Sequence, residues 1–249
     1  HIGDRRQRQM CIRDRHRTAT DLAAAGVDVA AIIDSRPDAP KSEVAEVLAG
    51  AVVTGTGGRL GIGHVDIRLA GGGRKHVQCG ALAVSGGWNP NVQLTCHHRG
   101  RPAWQDDICA FVPGEGVPPG MAVAGAARGV FSTAGTIGDG QAQAIAQLAE
   151  IGIAAVADTL PEAEDAPVRV TPLWHVPGKK RAWLDQQNDV TVKDVKLAHQ
   201  ENFRAVEHLK RYTTLGMAGD QGRTSNVLGL AIMAELTGKT IAETGTTIY

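Results

Sequence analysis

The side chains best suited to holding a charged ligand fall into four clusters. The first is Asp34 with Arg36, at the end of the apolar run VDVAAIID over 27–34. An acid closing the second strand of a βαβ unit can accept hydrogen bonds from both ribose hydroxyls of an adenosine. Arg36 beside it could meet a 2′-phosphate or stack on adenine. An Asp at a solvent-facing strand end is the plainer alternative. The second cluster is SGGWNPN at 85–91, where Ser85, Gly86 and Gly87 follow an apolar strand. Glycine there lets backbone approach a ligand closely. Trp88 could cover a planar ring, and Asn89-Pro90 fixes the exit. A structural crossover would account for the same residues. The third is GTIGDG at 135–140, read as a turn before a helix. Asp139 and Gly140, beside the N–H groups of a helix start, would suit a pyrophosphate or ribityl chain, and Asp139 as an N-cap is compatible with that reading.

The fourth cluster is the densest polar stretch, EHLKRYTTLGMAGDQGRTSN at 207–226. Lys210, Arg211, Thr213 and Thr214 gather at a helix end. Gly216, Gly219 and Gly222 then form a turn carrying Asp220 and Gln221, and Arg223, Thr224 and Ser225 open the next helix. Cations, hydroxyls and a helix N-terminus together make a phosphate site. The pattern GxxxxGK[ST] is absent, so it is not a P-loop, and a solvated, capped helix corner is the alternative. His64, His76, His97, His98, His175, His199 and His208 show no metal-ligand spacing, so no metal is expected. His97 and His98, read as strand neighbours, would point to opposite faces. With no GxSxG, no Cys/His couple and no paired carboxylates in an apolar setting, the chemistry falls to a cofactor, here or in a partner.

The elements around these clusters read as α/β. TATDLAAAG (18–26) is a short helix closed by glycine, followed by the strand 27–34. That order is the second half of a βαβ unit, whose first strand and Gly-rich turn would lie upstream of Thr18. Lys41–Gly50 is expected as a helix with Val44, Val47 and Leu48 on one face. Strands are expected at AVVTGTGG (51–58), HVDIRLA (64–70), HVQCGALAV (76–84) and QDDICAFV (105–112), with a turn at 71–75 and a loop at 113–120. MAVAGAARGVF (121–131) reads as a final strand and turn leading to the helix QAQAIAQLAEIG. An acidic, proline-bearing linker over 158–172 separates this from an extended LWHVPG, a strand-like WLDQQND and helices at about 191–211 and 222–238.

Composition agrees with that class. Of 249 residues, 43% are hydrophobic and 4% aromatic, which suits a globular α/β chain with close helix–sheet packing rather than a disordered one. The net charge of zero hides an asymmetry: residues 1–17 carry six Arg and two Asp, leaving −4 for the rest. That tail has no apolar core and no aromatic partner for stacking, which argues against a targeting peptide and against nucleic acid as its partner. Its CIRDR-like string resembles translated adapter read-through, so residues 1–17 are set aside as a non-native tail. Cys11, Cys79, Cys96 and Cys109 contain no CxxC pair, which speaks against a zinc ribbon, an Fe–S cluster or a disulfide framework. No apolar run reaches 18 residues, so no membrane span is expected and a cytoplasmic setting is.

Together ALAVSGGWNPNVQL, FVPG, GTIGDGQA and the long C-terminal run from LDQQNDVTVKDV to GTTIY carry a family signal. The chain resembles the alpha subunit of heterotetrameric sarcosine oxidase over roughly 18–249, most strongly in the last 70 residues or so. Opine and proline dehydrogenase subunits and hydrogen cyanide synthase large subunits are similar. The resemblance implies an incomplete two-dinucleotide-binding, disulfide-reductase-type Rossmann-like domain over 18–157, the linker at 158–172 and a small helical domain over 173–249. It implies NAD on the alpha subunit, FMN at the interface with the beta subunit, FAD on the beta subunit and tetrahydrofolate in a further C-terminal domain. The partners it implies are the beta, gamma and delta subunits, and the reaction is oxidative demethylation of sarcosine to glycine, with oxygen reduced to hydrogen peroxide. On this reading Asp139 and Gly140 match the dinucleotide-contacting turn, KRYTTLGMAGDQGRTSN is the FMN-side interface, and the chain alone is inactive. The family reads GMATDQGKTSN, so Gly219 stands for a Thr and Arg223 for a Lys, which keeps the charge but changes its geometry. Gly80 stands where an Asp follows the Cys, and Gln186 replaces an aromatic. A non-catalytic scaffold docking the beta subunit is the reading from a different class.

Overall fold

The computed structural model describes residues 7–9, 12–163, 170–178 and 180–246. Its chain forms two compact units, one running through Gly87 and resuming over Val170–Thr240, the other beginning at Trp88 and resuming at Ile241. The boundary at Gly87 lies inside SGGWNPN. These units divide the chain differently from the expected sequence boundaries at 157 and 173, and part of the expected linker, 164–169, lies outside the described residues.

In the first unit, β1 (Gln7–Gln9) pairs antiparallel with β9 (Thr171–Leu173), and α1 spans Ile12–Ala24, beginning earlier than the expected Thr18. Two strand pairings follow. β2 (Ile32–Asp34) lies parallel to β3 (Val47–Ala49), Ile32 opposite Val47 and Asp34 opposite Ala49. The helix expected over 41–50 is therefore not formed. Val44, Val47 and Leu48 suit a helix face, but helix nucleation in so short a segment is unfavourable. The β-branched Val47 also suits the strand, and Leu48 is buried within it.

β4 (Val52–Gly57), β5 (His64–Arg68) and β6 (Arg74–Gln78) form a three-stranded antiparallel sheet. Alternation in β5 drives Val65 and Ile67 into a core with Leu48 and Ala51, while Asp66 and Arg68 face out. The strand expected over 76–84 ends at Gln78, and residues 79–87 have no regular structure apart from a bend at Gly80.

The same unit holds the C-terminal helices. β10 (Trp183–Asp185) pairs with β11 (Val190–Thr191), which leads into α3 (Val192–Gln200), α4 (Val206–Thr213) and α5 (Asn226–Thr237). The expected helix over 191–211 is two helices, broken at a turn over Glu201 and Asn202, where Asn202 has φ 71°. A capping box starts α3: the Thr191 N–H and hydroxyl both donate to Asp194 Oδ2 at 2.7 Å. Leu228 to Ala234 of α5 are all buried, as expected of a helix apolar on every side. Of these, Leu228, Ile232 and Met233 pack with Val195, Ala198, Leu209 and Leu215.

In the second unit a 3₁₀ segment over Gln93–Arg99 precedes a hairpin of β7 (Ala103–Gln105) and β8 (Ala110–Val112). The single strand expected over 105–112 is thus a hairpin, turning over Asp106–Cys109. His97 and His98 lie at a kinked 3₁₀ end and not in a strand; His98 has φ 58°. No strand forms over 121–131. That segment runs into a 3₁₀ turn at Gly125–Arg128 and then α2 (Thr133–Glu150). The unit also contains α6 (Ile241–Thr244), near β7.

The described residues therefore form an α/β structure, in which the parallel pairing is confined to β2 and β3 and the largest sheet is antiparallel. None of their helices is long and apolar enough to cross a membrane.

Candidate functional site

Asp34 ends β2 with no exposed surface, and Arg36 is 5% exposed. The Arg36 backbone N–H and its Nε both donate to Asp34 Oδ1 at 3.0 Å, and a second guanidinium nitrogen donates to Oδ2. Backbone bonds from Gly50 to the Arg36 carbonyl and from Ala51 to the Asp34 carbonyl hold the turn. A buried carboxylate needs such a partner. Here both oxygens are taken, so the ribose role expected of Asp34 would require Arg36 to let go. Ser85, Gly86 and Gly87 lie in irregular backbone, partly exposed, with Gly87 at φ 90°. Trp88 is largely exposed.

The GTIGDG segment is helical, which corrects its reading as a turn. α2 starts at Thr133, and its N-cap is Ser132, whose hydroxyl accepts from the Gly135 N–H at 3.2 Å. Asp139 is two turns inside, too far along to cap the helix. Its Oδ2 accepts from the Gly125 N–H at 2.8 Å and its Oδ1 from Arg128 at 2.6 Å. The Gly125 N–H, followed by the Arg128 contact, holds this carboxyl below the usual Asp range. Gly125 has φ 62°, and a Cβ there would lie 2.6 Å from the Thr136 methyl, so only glycine fits this approach. Gly140 has nothing near its missing side chain.

The fourth cluster forms a built corner. α4 ends with Lys210 and Arg211 in its last turn, where cations complement the carbonyl end. The Thr213 hydroxyl donates to the Leu209 carbonyl at 2.7 Å, and Thr214 takes the left-handed C-cap at φ 60°. The Gly216 N–H then donates to Asp185 Oδ2 at 2.8 Å, while Asp185 Oδ1 accepts from the Gln187 and Asn188 N–H groups. Asn188 returns a bond to the Thr214 carbonyl at 2.8 Å. Asp185, 2% exposed, thus ties the β10 turn to the corner. Sequence reading passed over it, although an acid inside the short run WLDQQND was its signal.

Asp220 folds the second half of the corner. It accepts from the Gly222 N–H at 3.1 Å and from the Thr224 hydroxyl at 2.5 Å. Gln221 has φ 49° and is exposed, as are Arg223 and Thr224. Gly216 and Gly222, both at positive φ, crowd against Asn226, whose side chain would clash with a Cβ at either position. At the start of α5 sits Ser225, with no exposed surface and, among the described residues, no hydrogen-bond partner for its hydroxyl. Such a group carries a cost of about 1–3 kcal/mol until something bonds to it.

A further cluster, His64, Asp66 and His76, comes together in the β4–β6 sheet among the described residues.

Residues 179–249 match the family described as the Sarcosine oxidase A3 domain, and this stretch contains the whole corner. The chain is 41% identical over 236 residues to the sarcosine oxidase subunit alpha of Rhizobium meliloti (strain 1021), covering 93% of this chain and 24% of that protein. This chain is similar to the sarcosine oxidase alpha subunits. It is also 34% identical over 253 residues to the subunit alpha of Corynebacterium sp. (strain U-96), covering 92% of this chain and 26% of that one. It spans about a quarter of the length of the sarcosine oxidase alpha subunits it matches. A crystal structure of L-proline dehydrogenase from P. horikoshii superposes with a TM-score of 0.60 over 88% of this chain and 46% of that one. At 17% identity that likeness speaks for the fold alone. The corner therefore lies within the stretch that matches the Sarcosine oxidase A3 domain, whereas Asp34 and Asp139 lie outside it.

Proposed function

We propose that this chain is part of a sarcosine oxidase alpha subunit, an oxidoreductase component, and that its Gly216–Asn226 corner holds the phosphate of FMN at the face turned to the beta subunit. The observation that carries this is the buried Ser225 hydroxyl, without a partner among the described residues, at the start of a twelve-residue helix. A phosphate there would meet the positive N-terminal end of α5, accept from the Ser225 hydroxyl, and lie beside exposed Arg223. Asp185 and Asp220 hold the surrounding backbone before any ligand arrives. Lys210, Arg211, Thr213, Thr214, Gln221 and Thr224 complete the polar rim. When bound, the flavin supplies electron transfer from the oxidised amine toward oxygen.

In this reading the amine is sarcosine, the FAD that oxidises it sits on the beta subunit, and tetrahydrofolate accepts the one-carbon unit elsewhere in the complex with the gamma and delta subunits. NAD does not fit as directly, since the carboxylates of Asp34 and Asp139 are engaged within the chain. That same observation favours the second reading, a scaffold that docks the beta subunit without binding a nucleotide.

Co-expression with the other subunits separates the two. Purified complex should contain FMN, released on denaturation, and Arg223→Ala or Ser225→Ala should lower its occupancy while leaving assembly intact. A stable complex without FMN would leave only the scaffold.

A further inference from the structure

We infer that His64, Asp66 and His76 form a binding site for a divalent transition metal of the zinc class, fastening the outer face of the β4–β6 sheet. In the sheet's register Asp66 lies opposite His76 and His64 opposite Gln78. His64 and Asp66 are two residues apart on one strand, so all three side chains share the face opposite to Val65 and Ile67. His76 Nδ1 lies 3.0 Å from Asp66 Oδ1, and the two imidazole centroids are 4.0 Å apart at a tilt of 36°. One donor atom from each of the three lies within 4.8 Å of the others. Zinc bonds of about 2.0–2.1 Å in a tetrahedron place neighbouring donors about 3.3 Å apart. Small rotations of exposed Asp66 and His76 and half-buried His64 close that gap, and the Asp66–His76 edge is already near it.

The neighbouring strand makes room for the cluster. Gly57 pairs with His64 and Gly55 with Asp66. The His64 ring lies across Gly57, where a Cβ would fall 2.3 Å from its Cε1, and a Cβ on Gly55 would meet Asp66 Oδ2 at 3.3 Å. Side chains at these two positions would push the donors apart. Two imidazoles and a single carboxylate select a borderline metal over calcium or magnesium, which need more oxygen ligands. Arg68 and Arg74 pair one step along the same face, and Lys180 lies near Asp66. This positive surround weakens a cation site and places it among moderate binders. Water fills the remaining coordination position, with the Gln78 amide, 3.2 Å from His76 Nε2, able to orient that ring.

The whole chain, stripped with chelator and desalted, is titrated with zinc by calorimetry and with cobalt by visible absorption. The expected result is one saturable site, a raised melting temperature and a cobalt spectrum without thiolate bands. His76→Ala and Asp66→Asn should each weaken zinc binding by about tenfold or more. A Cys79→Ser, Cys96→Ser, Cys109→Ser chain should bind as before. Zinc added to ¹⁵N-histidine-labelled wild type should shift His64 and His76 and leave His97 and His98 in place, which keeps the test valid should a variant fail to fold. Absent saturable binding, or binding unchanged by His76→Ala, overturns the site.

Discussion

At the residue scale, three buried or half-buried carboxylates do structural work that composition does not announce. Asp34 neutralises Arg36, Asp185 gathers three backbone N–H groups, and Asp139 joins α2 to the turn before it. Each was visible as an acid in an apolar or glycine-rich setting. Which partner it would meet was not, because Asp185 reaches Gly216 thirty-one positions away. Asp139 yields a pH prediction. Its carboxyl is held below the usual Asp range first by the Gly125 N–H and then by Arg128. The folded value thus lies below the unfolded one of about 3.9. The ionised group favours the folded chain at any pH above that unfolded value, and the contribution fades as pH falls through the folded one. Thermal melts below about pH 4 should therefore show a shallower acid decline for Asp139→Asn than for wild type, from a lower starting stability. Parallel declines would remove the Gly125 contact as their cause.

At the element scale, legibility followed periodicity. β4 and β5 were read nearly residue for residue because alternation leaves one arrangement for Val65 and Ile67. The 41–50 segment failed because a three-residue parallel strand carries too little pattern to tell it from a helix face. GTIGDG failed for another reason: Gly135, Gly138 and Gly140 each weaken a helix by about 1 kcal/mol relative to Ala. The Ser132 cap and the packing of Gly125 on Thr136 outweigh that local preference. These two glycine environments separate by substitution. Gly140→Ala should raise the melting temperature or leave it unchanged, with a gain of up to about 1 kcal/mol, since its missing side chain faces open space. Gly125→Ala should cost about 1–3 kcal/mol, because a left-handed residue would also strike the Thr136 methyl. If Gly140→Ala lost a bound nucleotide in the assembled complex, with stability intact, the dinucleotide role expected of that turn would return.

At the scale of the whole molecule, the chain divides its tasks between an α/β frame and a polar corner that has shape but no reactive side chain. Protein side chains of this kind do not take two electrons from a secondary amine; a flavin does. On the reading proposed above, the corner at α5 takes the phosphate end of such a cofactor, and the isoalloxazine end needs surface from elsewhere. The His64 cluster was illegible for a related reason: no spacing along the chain reveals donors that meet only through strand register. The proposed function implies a division of labour that an oxygen electrode can test. The chain alone, with FMN and sarcosine supplied, should consume oxygen at the background rate, and consumption should appear when the other subunits are co-purified with it. Steady turnover by the isolated polypeptide would mean that a complete oxidising centre is built within this quarter-length segment, and the interface reading of the corner would fall with it.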